Sequence, residues 1–471
     1  MEQKSLERTA LINVMLTSFM VTFMGSAINL SLPSIGQEFN SSVVLTGWVV
    51  TSYLLASAAF LLPIGRLADI VGRRRVYLTG VVGFAIFTLL CTFSTSMKMF
   101  IGLRVLQGLA SSLIFGTGMA ILTSVFPPDR RGRALGWSVS VTYLGLSVGP
   151  VLGGILNHQL GWRSIFYFTV LLGVGAAAFT LTRLKGEWAG ARGETFDWGG
   201  SLLYMLGLTA LLLGMSTLTG SSWSVGLLAG GATLLAVFVI YELRVHQPVL
   251  QVGLLVRNHA FAYSNLAAMI HYSATFAVSF LMSLYLQTVQ GYSSQSAGFV
   301  LLSQPLIMAV FSPLAGRLSD RVEPRLVASL GMGLTTLGLF GFVFLGMNTS
   351  PALLVANLAM MGLGFALFSS PNSNAVMGSV DRRTYGIASS ILGTMRLVGQ
   401  AASMAIVTLL IGAYVGQQAF ASADTTLLLK GTRVAFMVFT GLGVLGVGVS
   451  LVRGGNAGEA IPTQAFPPGE E

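Results

Sequence analysis

The chain has 471 residues, of which 54% are hydrophobic and only 9% charged, and it carries a formal net charge of +10. A soluble domain typically holds roughly a quarter of its residues as charges, so a water-facing surface cannot be built here and a soluble enzyme is excluded. The basic excess lies in short segments between apolar runs, where it has a topological cause, and no nucleic-acid partner is expected.

In chain order, the apolar runs cover residues 11–32, 47–64, 76–95, 99–126, 134–156, 165–181, 199–218, 225–243, 260–287, 297–314, 326–347, 353–377, 386–410 and 434–451. Each approaches the roughly 20 residues that a helix needs to cross about 30 Å of hydrocarbon. They predict an all-α membrane protein of about fourteen transmembrane helices. The period-two alternation of an outer-membrane barrel is absent. Glycine is abundant, at 57 residues, and recurs inside the runs, where it lets helix backbones approach closely. The first run is longer than a signal-peptide core and lacks a small-residue cleavage pattern, so it is expected to be retained. Cys91 is the only cysteine, which leaves no internal disulfide or thiolate metal site.

Basic residues orient the runs. With both termini inside, only Lys98, Arg163, Lys430 and Arg433 fall outside, Arg104 and Arg396 lie within spans, and every other Lys and Arg is on the inner side. The chain also repeats itself: Gly65-Arg66-Leu67-Ala68-Asp69 after span 2 recurs as Gly316-Arg317-Leu318-Ser319-Asp320 after span 10. Gly108-Leu109 and Gly145 are matched by Gly362-Leu363 and Gly399. The organisation expected is a six-helix half (1–184), two inserted helices with linkers (185–257), a second six-helix half (258–453) and a disordered Gly-, Pro- and Glu-rich tail (454–471).

Polar groups in and between the spans nominate the functional residues. In the segment from Gly65 to Arg75, glycines permit a tight turn, and an acid among four arginines forms charge pairs or caps a helix end. Positive charge alone would anchor the topology, but anchoring does not require the repeated acid. Gly65, Asp69, Gly72, Arg73 and Asp320 are therefore candidates for a cytoplasmic latch. Arg104 sits about a turn or two inside the outer end of span 4 and must face the interior, line a watery cavity or snorkel outward. Gly145, Gly149 and Gly153 form a stripe beside Pro150 and Gly154, which permits close helix contact and a bend. His271 and Arg396 lie about ten residues into their spans, or roughly 15 Å deep on helical rise, where ionisable groups point to function. Arg104, His271 and Arg396 are the coupling candidates. Asn29, Gln107, Tyr143, Asn372 and Asn374 add polar groups to the spans, and Phe276, Phe280 and Phe368 are candidate apolar walls for a substrate.

On these motifs the chain resembles the fourteen-helix drug:proton antiporter family of the major facilitator superfamily over nearly its whole length. Gly65 to Arg75 is similar to motif A of that superfamily, Arg104 to Gly108 to motif B, and Gly145 to Gly154 to the motif C associated with antiporters. Trp162-Arg163, Asp197-Trp198-Gly199, Tyr285-Leu286-Gln287, Gln290-Gly291-Tyr292-Ser293 and Gly386-Ile387-Ala388-Ser389 add to the likeness. The resemblance implies a secondary transporter that exports drug-like or amphipathic molecules by proton antiport through alternating access, in the inner membrane with both termini cytoplasmic. One departure matters. Relatives commonly place an Asp a few residues before the Asn and Pro of helix 1, whereas Asn29 and Pro33 here are preceded by Met24, and no Asp or Glu lies near any span centre. Proton coupling would then fall to His271 or to a water path involving Arg104, with Asp69 at a span end as the rival. A neutral, apolar or anionic substrate fits better than a cation.

The expected partners are a small-molecule substrate, protons and the bilayer; the sequence leaves the oligomeric state open and is compatible with a monomer. No cofactor or metal is expected, because no cluster of His, Asp or Glu lies in the spans and no P-loop is present to bind ATP. The alternative is a facilitator or exporter of a metabolite or organic anion without proton coupling. A membrane sensor is disfavoured, since no sizeable soluble domain is there to signal.

Overall fold

The computed structural model describes residues 2–218, 222–319, 321–380, 385–416 and 424–452. Asp320 and the segment 454–471 lie outside them. Among the described residues the chain is helical with no strand: α1 (Glu2–Glu38), α2 (Val43–Val71), α3 (Arg73–Thr92), α4 (Met97–Val125), α5 (Pro128–Leu160), α6 (Arg163–Arg183), α7 (Trp198–Thr217), α8 (Ser224–Glu242), the short α9 (Val252–Arg257), α10 (His259–Thr275), α11 (Val278–Leu284) with a following π-turn (Tyr285–Val289), α12 (Ser294–Ser319), α13 (Pro324–Phe342), α14 (Pro351–Gly378), α15 (Tyr385–Val415) and α16 (Thr425–Val452). Fourteen units are long and apolar enough to cross a membrane, with α10, α11 and the π-turn counting as one. They coincide with the fourteen runs expected from the sequence.

Lipid as solvent explains the surface. Leu171, Phe344 and Leu445 point outward and are well exposed, while polar residues such as Asn13, Thr88 and Gln107 are turned inward. Within α1–α6, α1 packs on α5, α2 on α4, and α3 on α4 and α6. Within α10–α16, α10 packs on α15 and α16, α12 on α14, and α13 on α14 and α16. The two groups meet along a seam where α5 lies against α12 and α2 against α15. The inserted α7 pairs with α8 and touches both α2 and α15, so it flanks that seam.

Three boundaries differ from expectation, each for a physical reason. The segment Gly65–Arg75 is not an open loop: α2 runs to Val71 and α3 starts at Arg73, so the turn is the single residue Gly72, at φ 128°. Only glycine adopts that backbone readily. Gly65 is helical and has no neighbour that a side chain would meet, so it makes no turn. Lys430 and Arg433, expected in an outer loop, lie in α16, which begins at Thr425. Asp424 Oδ1 accepts the Thr426 amide at 2.7 Å at its start, and Arg433 Nε donates to the Leu345 carbonyl at 2.5 Å, just beyond the end of α13. The ninth span is interrupted at Phe276–Ala277, and Ser403 Oγ accepts the freed Ala277 amide at 3.1 Å. Such breaks persist in membranes where neighbouring helices satisfy the backbone.

Candidate functional site

The bundle has a proximal end, which holds the start of α1, and a distal end opposite. Most hydrogen bonds found across the seam lie in its distal half. Ser283 Oγ donates to the Asn29 carbonyl at 2.7 Å, Gln287 Nε2 to the Leu30 carbonyl at 3.2 Å, and Ser294 Oγ to the Gly154 carbonyl at 3.2 Å, while Thr51 and Thr408 share a bond of 3.2 Å. The glycine stripe makes this closure possible. A Cβ on Gly145, Gly149 or Gly153 would run into Thr22, Ser26 or Ala27 of α1, and one on Gly154 would stand 2.6 Å from the Ser294 carbonyl of α12. The Pro150 carbonyl, in turn, lies against Gly298. Small residues therefore face both neighbours of α5 around Pro150.

Near the middle of the seam, four helices converge on one cluster. Tyr143 of α5 shares a 2.8 Å hydrogen bond with Ser369 of α14, the one seam bond described here that lies midway along the bundle. The His271 ring of α10 stacks on Phe368 at 4.0 Å between centroids and approaches Phe365 at 5.0 Å. Tyr272 packs edge-on against Phe365 at 5.4 Å, and Tyr143 joins this apolar contact. Arg396 of α15 donates to Ser373 Oγ at 2.7 Å and lies 5.7 Å from the Tyr272 ring, while its Nε has no partner. His271 is 1% exposed, and its Nε2 also has no partner. Asn372 Nδ2 donates to the Ser264 carbonyl at 3.2 Å. Of the sequence candidates, Tyr143, His271, Phe368 and Arg396 are thus brought together, and Asn372 lies one turn along α14 from Phe368, bonded to α10. Asn29 and Phe280 sit instead on the distal seam, with Phe280 against Gly47, and Phe276 is at the break in the ninth span.

Arg104 and Gln107 form a separate network inside the first helix group. Arg104, 1% exposed, donates Nε–H to the Val49 carbonyl at 3.0 Å, bonds to Gln107 Oε1 and stacks over Tyr53 at 4.3 Å. Gln107 Nε2 then donates to Thr88 Oγ1 at 2.6 Å. Arg104 therefore does not snorkel. Among the described residues no carboxylate pairs with it, so carbonyl, amide and ring together carry the buried charge.

At the proximal end, Asp69 and Arg73 pair at 2.7 Å across the Gly72 turn, and Arg73 also donates to the Ala120 carbonyl and to Ser124 of α4. Sequence reasoning missed what covers this corner. The linker between α6 and α7 docks on it: Arg73 N–H donates to the Trp188 carbonyl at 2.8 Å and Ala191 N–H to the Asp69 carbonyl at 2.9 Å. Arg66 pairs with Glu194 at 2.5 Å, and the Arg74 amide donates to Glu187 at 2.8 Å. The acids at positions 187 and 194, in a linker that returns to the same end of the bundle as the four arginines flanking Gly72, were the available signal. A second unforeseen clamp is distal, where Arg163 binds both carboxylate oxygens of Glu38, at 2.7 and 2.9 Å, and Trp162 Nε1 donates to the same group.

A family model described as Major Facilitator Superfamily matches residues 14–256 and 264–465. The riboflavin transporter RibZ of Clostridioides difficile is 31% identical over 82% of this chain and 84% of its own. The multidrug resistance protein Stp of Mycobacterium tuberculosis is 30% identical over 87% of this chain and 77% of its own. Among solved structures, an inward-facing bacterial homologue of the human lysosomal transporter Spinster superposes with a TM-score of 0.70 at 14% identity, covering 95% of this chain and 97% of that one.

Proposed function

The chain belongs to the major facilitator superfamily, and from that premise we propose that it exports drug-like or amphipathic small molecules, neutral or anionic rather than cationic, by proton antiport and alternating access. The observation that carries this reading is the mid-seam cluster. Phe365, Phe368 and Tyr272 offer ring faces from the second helix group, Tyr143 reaches in from the first, and Arg396 supplies one positive charge with a spare N–H. Among the described residues no carboxylate stands beside them to favour a cation. The distal closure fits one end state of a rocking cycle in which the two groups part on alternate sides of the cluster. Relatives named for riboflavin and for multidrug resistance support a small organic cargo. Reconstituted protein should accumulate members of a labelled panel of aromatic neutral and anionic compounds, and Arg396→Gln should weaken the anionic ones selectively. Preference for cations, unaltered by that substitution, would reject the assignment.

A second reading, an uncoupled facilitator or exporter of an organic anion, draws on the same spare Arg396 N–H and on the lack of any acid at a span centre. Sensitivity of transport to an uncoupler separates the two. The basic-residue alternation supports an inner-membrane location with both termini cytoplasmic, which makes the proximal end the cytoplasmic one. No enzymatic activity is proposed.

A further inference from the structure

Asp197 and Glu242 take no part in the sites above. Asp197 caps the N-terminus of α7 and Glu242 ends α8, so the antiparallel pair brings both to the proximal end, where they are 9% and 3% exposed. One oxygen of each is occupied. Asp197 Oδ1 accepts the Gly200 amide at 2.9 Å and the Tyr241 hydroxyl at 3.3 Å, and Glu242 Oε2 accepts the Leu250 amide at 3.0 Å. The other two, Asp197 Oδ2 and Glu242 Oε1, are buried without a hydrogen-bond partner. A Cβ built on Gly200 would strike both, so the two orphan oxygens converge on one point.

Among the described residues neither carboxylate has a salt bridge. The titratable groups facing them are each other and Tyr241. Of the neighbouring helices, α2 has its Arg66 and Asp69 engaged with Glu194 and Arg73, and α15 has its Arg396 on Ser373. His246 lines an open cleft of about 440 Å³ beside the pair, together with Thr195, Trp198 and Gln247. Two ionised carboxylates converging in a buried site repel, and among the described residues no cation neutralises them; one proton between them removes the repulsion and satisfies both orphan oxygens. A helix cap alone needs only Oδ1.

We propose that Asp197 and Glu242 form a buried proton-binding site in which one carboxyl donates an O–H···O bond to the carboxylate of the other. On release the O–H bond breaks, the proton passes to water in the adjacent cleft, and the two anions separate. The consequence reaches the seam, because α7 touches α2 and α15, and Glu242 holds Leu250 just ahead of α9 and α10. Proton occupancy therefore sets how tightly the inserted pair is stitched to both helix groups. This inference does not depend on the proposed antiport, since a proton can be bound here in an uncoupled carrier as well.

The test is infrared spectroscopy of the purified full chain in lipid nanodiscs, in H2O and D2O, for the wild type, Asp197→Asn and Glu242→Gln. The wild type should show a protonated carboxylic C=O band at neutral pH that shifts in D2O and is lost or displaced in both variants. Glu242→Gln supplies a permanent N–H in place of the shared proton, so it should fold. Its melting temperature should stay level over the pH range in which that of the wild type falls as the proton leaves, because the native state then binds more protons than the unfolded one. Absence of the wild-type band, or a band unchanged by either substitution, overturns the proposal.

Discussion

At Arg104 a full positive charge is held by a carbonyl, a side-chain amide and a ring rather than by an acid. Lysine is a point charge on a flexible stem and cannot stack on Tyr53 while reaching both the Val49 carbonyl and Gln107. Each buried polar group left unpaired costs about 1–3 kcal/mol. Arg104→Lys is thus expected to lower the melting temperature in detergent and to reduce transport per folded molecule; wild-type values in both would make the network dispensable. Tyr143 makes a finer prediction. Its hydroxyl contributes one seam bond, worth about 0.5–1.5 kcal/mol, or roughly a two- to tenfold population change. Tyr143→Phe should shift the balance of end states within that range with little loss of stability, as read from spin-label distances across the seam. At this scale the sequence showed which residues were polar and deep, but not their partners. His271 and Arg396 lie more than a hundred positions apart in the chain, and their approach to the shared aromatic wall follows from the packing of α10, α14 and α15.

Helices behaved as their composition demands. Apolar length located all fourteen spans; the departures fell at helix ends, as at α16, which begins before residue 434, and at the break inside the ninth span, which hydropathy does not register. The glycine stripe of α5 was also legible from its spacing of four, since those residues must share one face. Its second contact was not, because Gly154 and Pro150 meet Ser294 and Gly298 of a helix far away in sequence. That contact yields a prediction. A methyl group on Gly298 would collide with the Pro150 carbonyl, a backbone atom that cannot rotate away, so Gly298→Ala should open the distal end. Ser34 and Tyr292 line the same distal cleft. A cysteine pair at these two positions should cross-link more slowly in Gly298→Ala than in the parent; an equal rate would mean that the seam absorbs the methyl group. The docked linker offers a second test. Glu194→Gln should loosen the pairing with Arg66 and raise proteolysis between α6 and α7, with little change in melting temperature, because part-exposed ion pairs contribute only about 0–1 kcal/mol.

For the molecule as a whole, low charge and fourteen apolar runs pointed to the class, and the ordered glycine and arginine motifs carried the resemblance to the family, whereas the partners that operate it are tertiary. Asp197 and Glu242 sit at span ends and carried no signal in a search for central acids, yet antiparallel packing of α7 and α8 buries them together. Orientation is testable because the only cysteine, Cys91, is buried. A cysteine replacing Lys98 should react with an impermeant reagent on intact cells and one replacing Lys185 should not; the reverse would invert the topology. Export driven by a proton gradient can be measured in inverted membrane vesicles containing the chain, energised by an acid interior with no ATP present. A labelled aromatic neutral or anionic compound should accumulate above control vesicles, and the accumulation should collapse when an uncoupler is added. Accumulation that persists undiminished in the uncoupler would contradict proton-driven export.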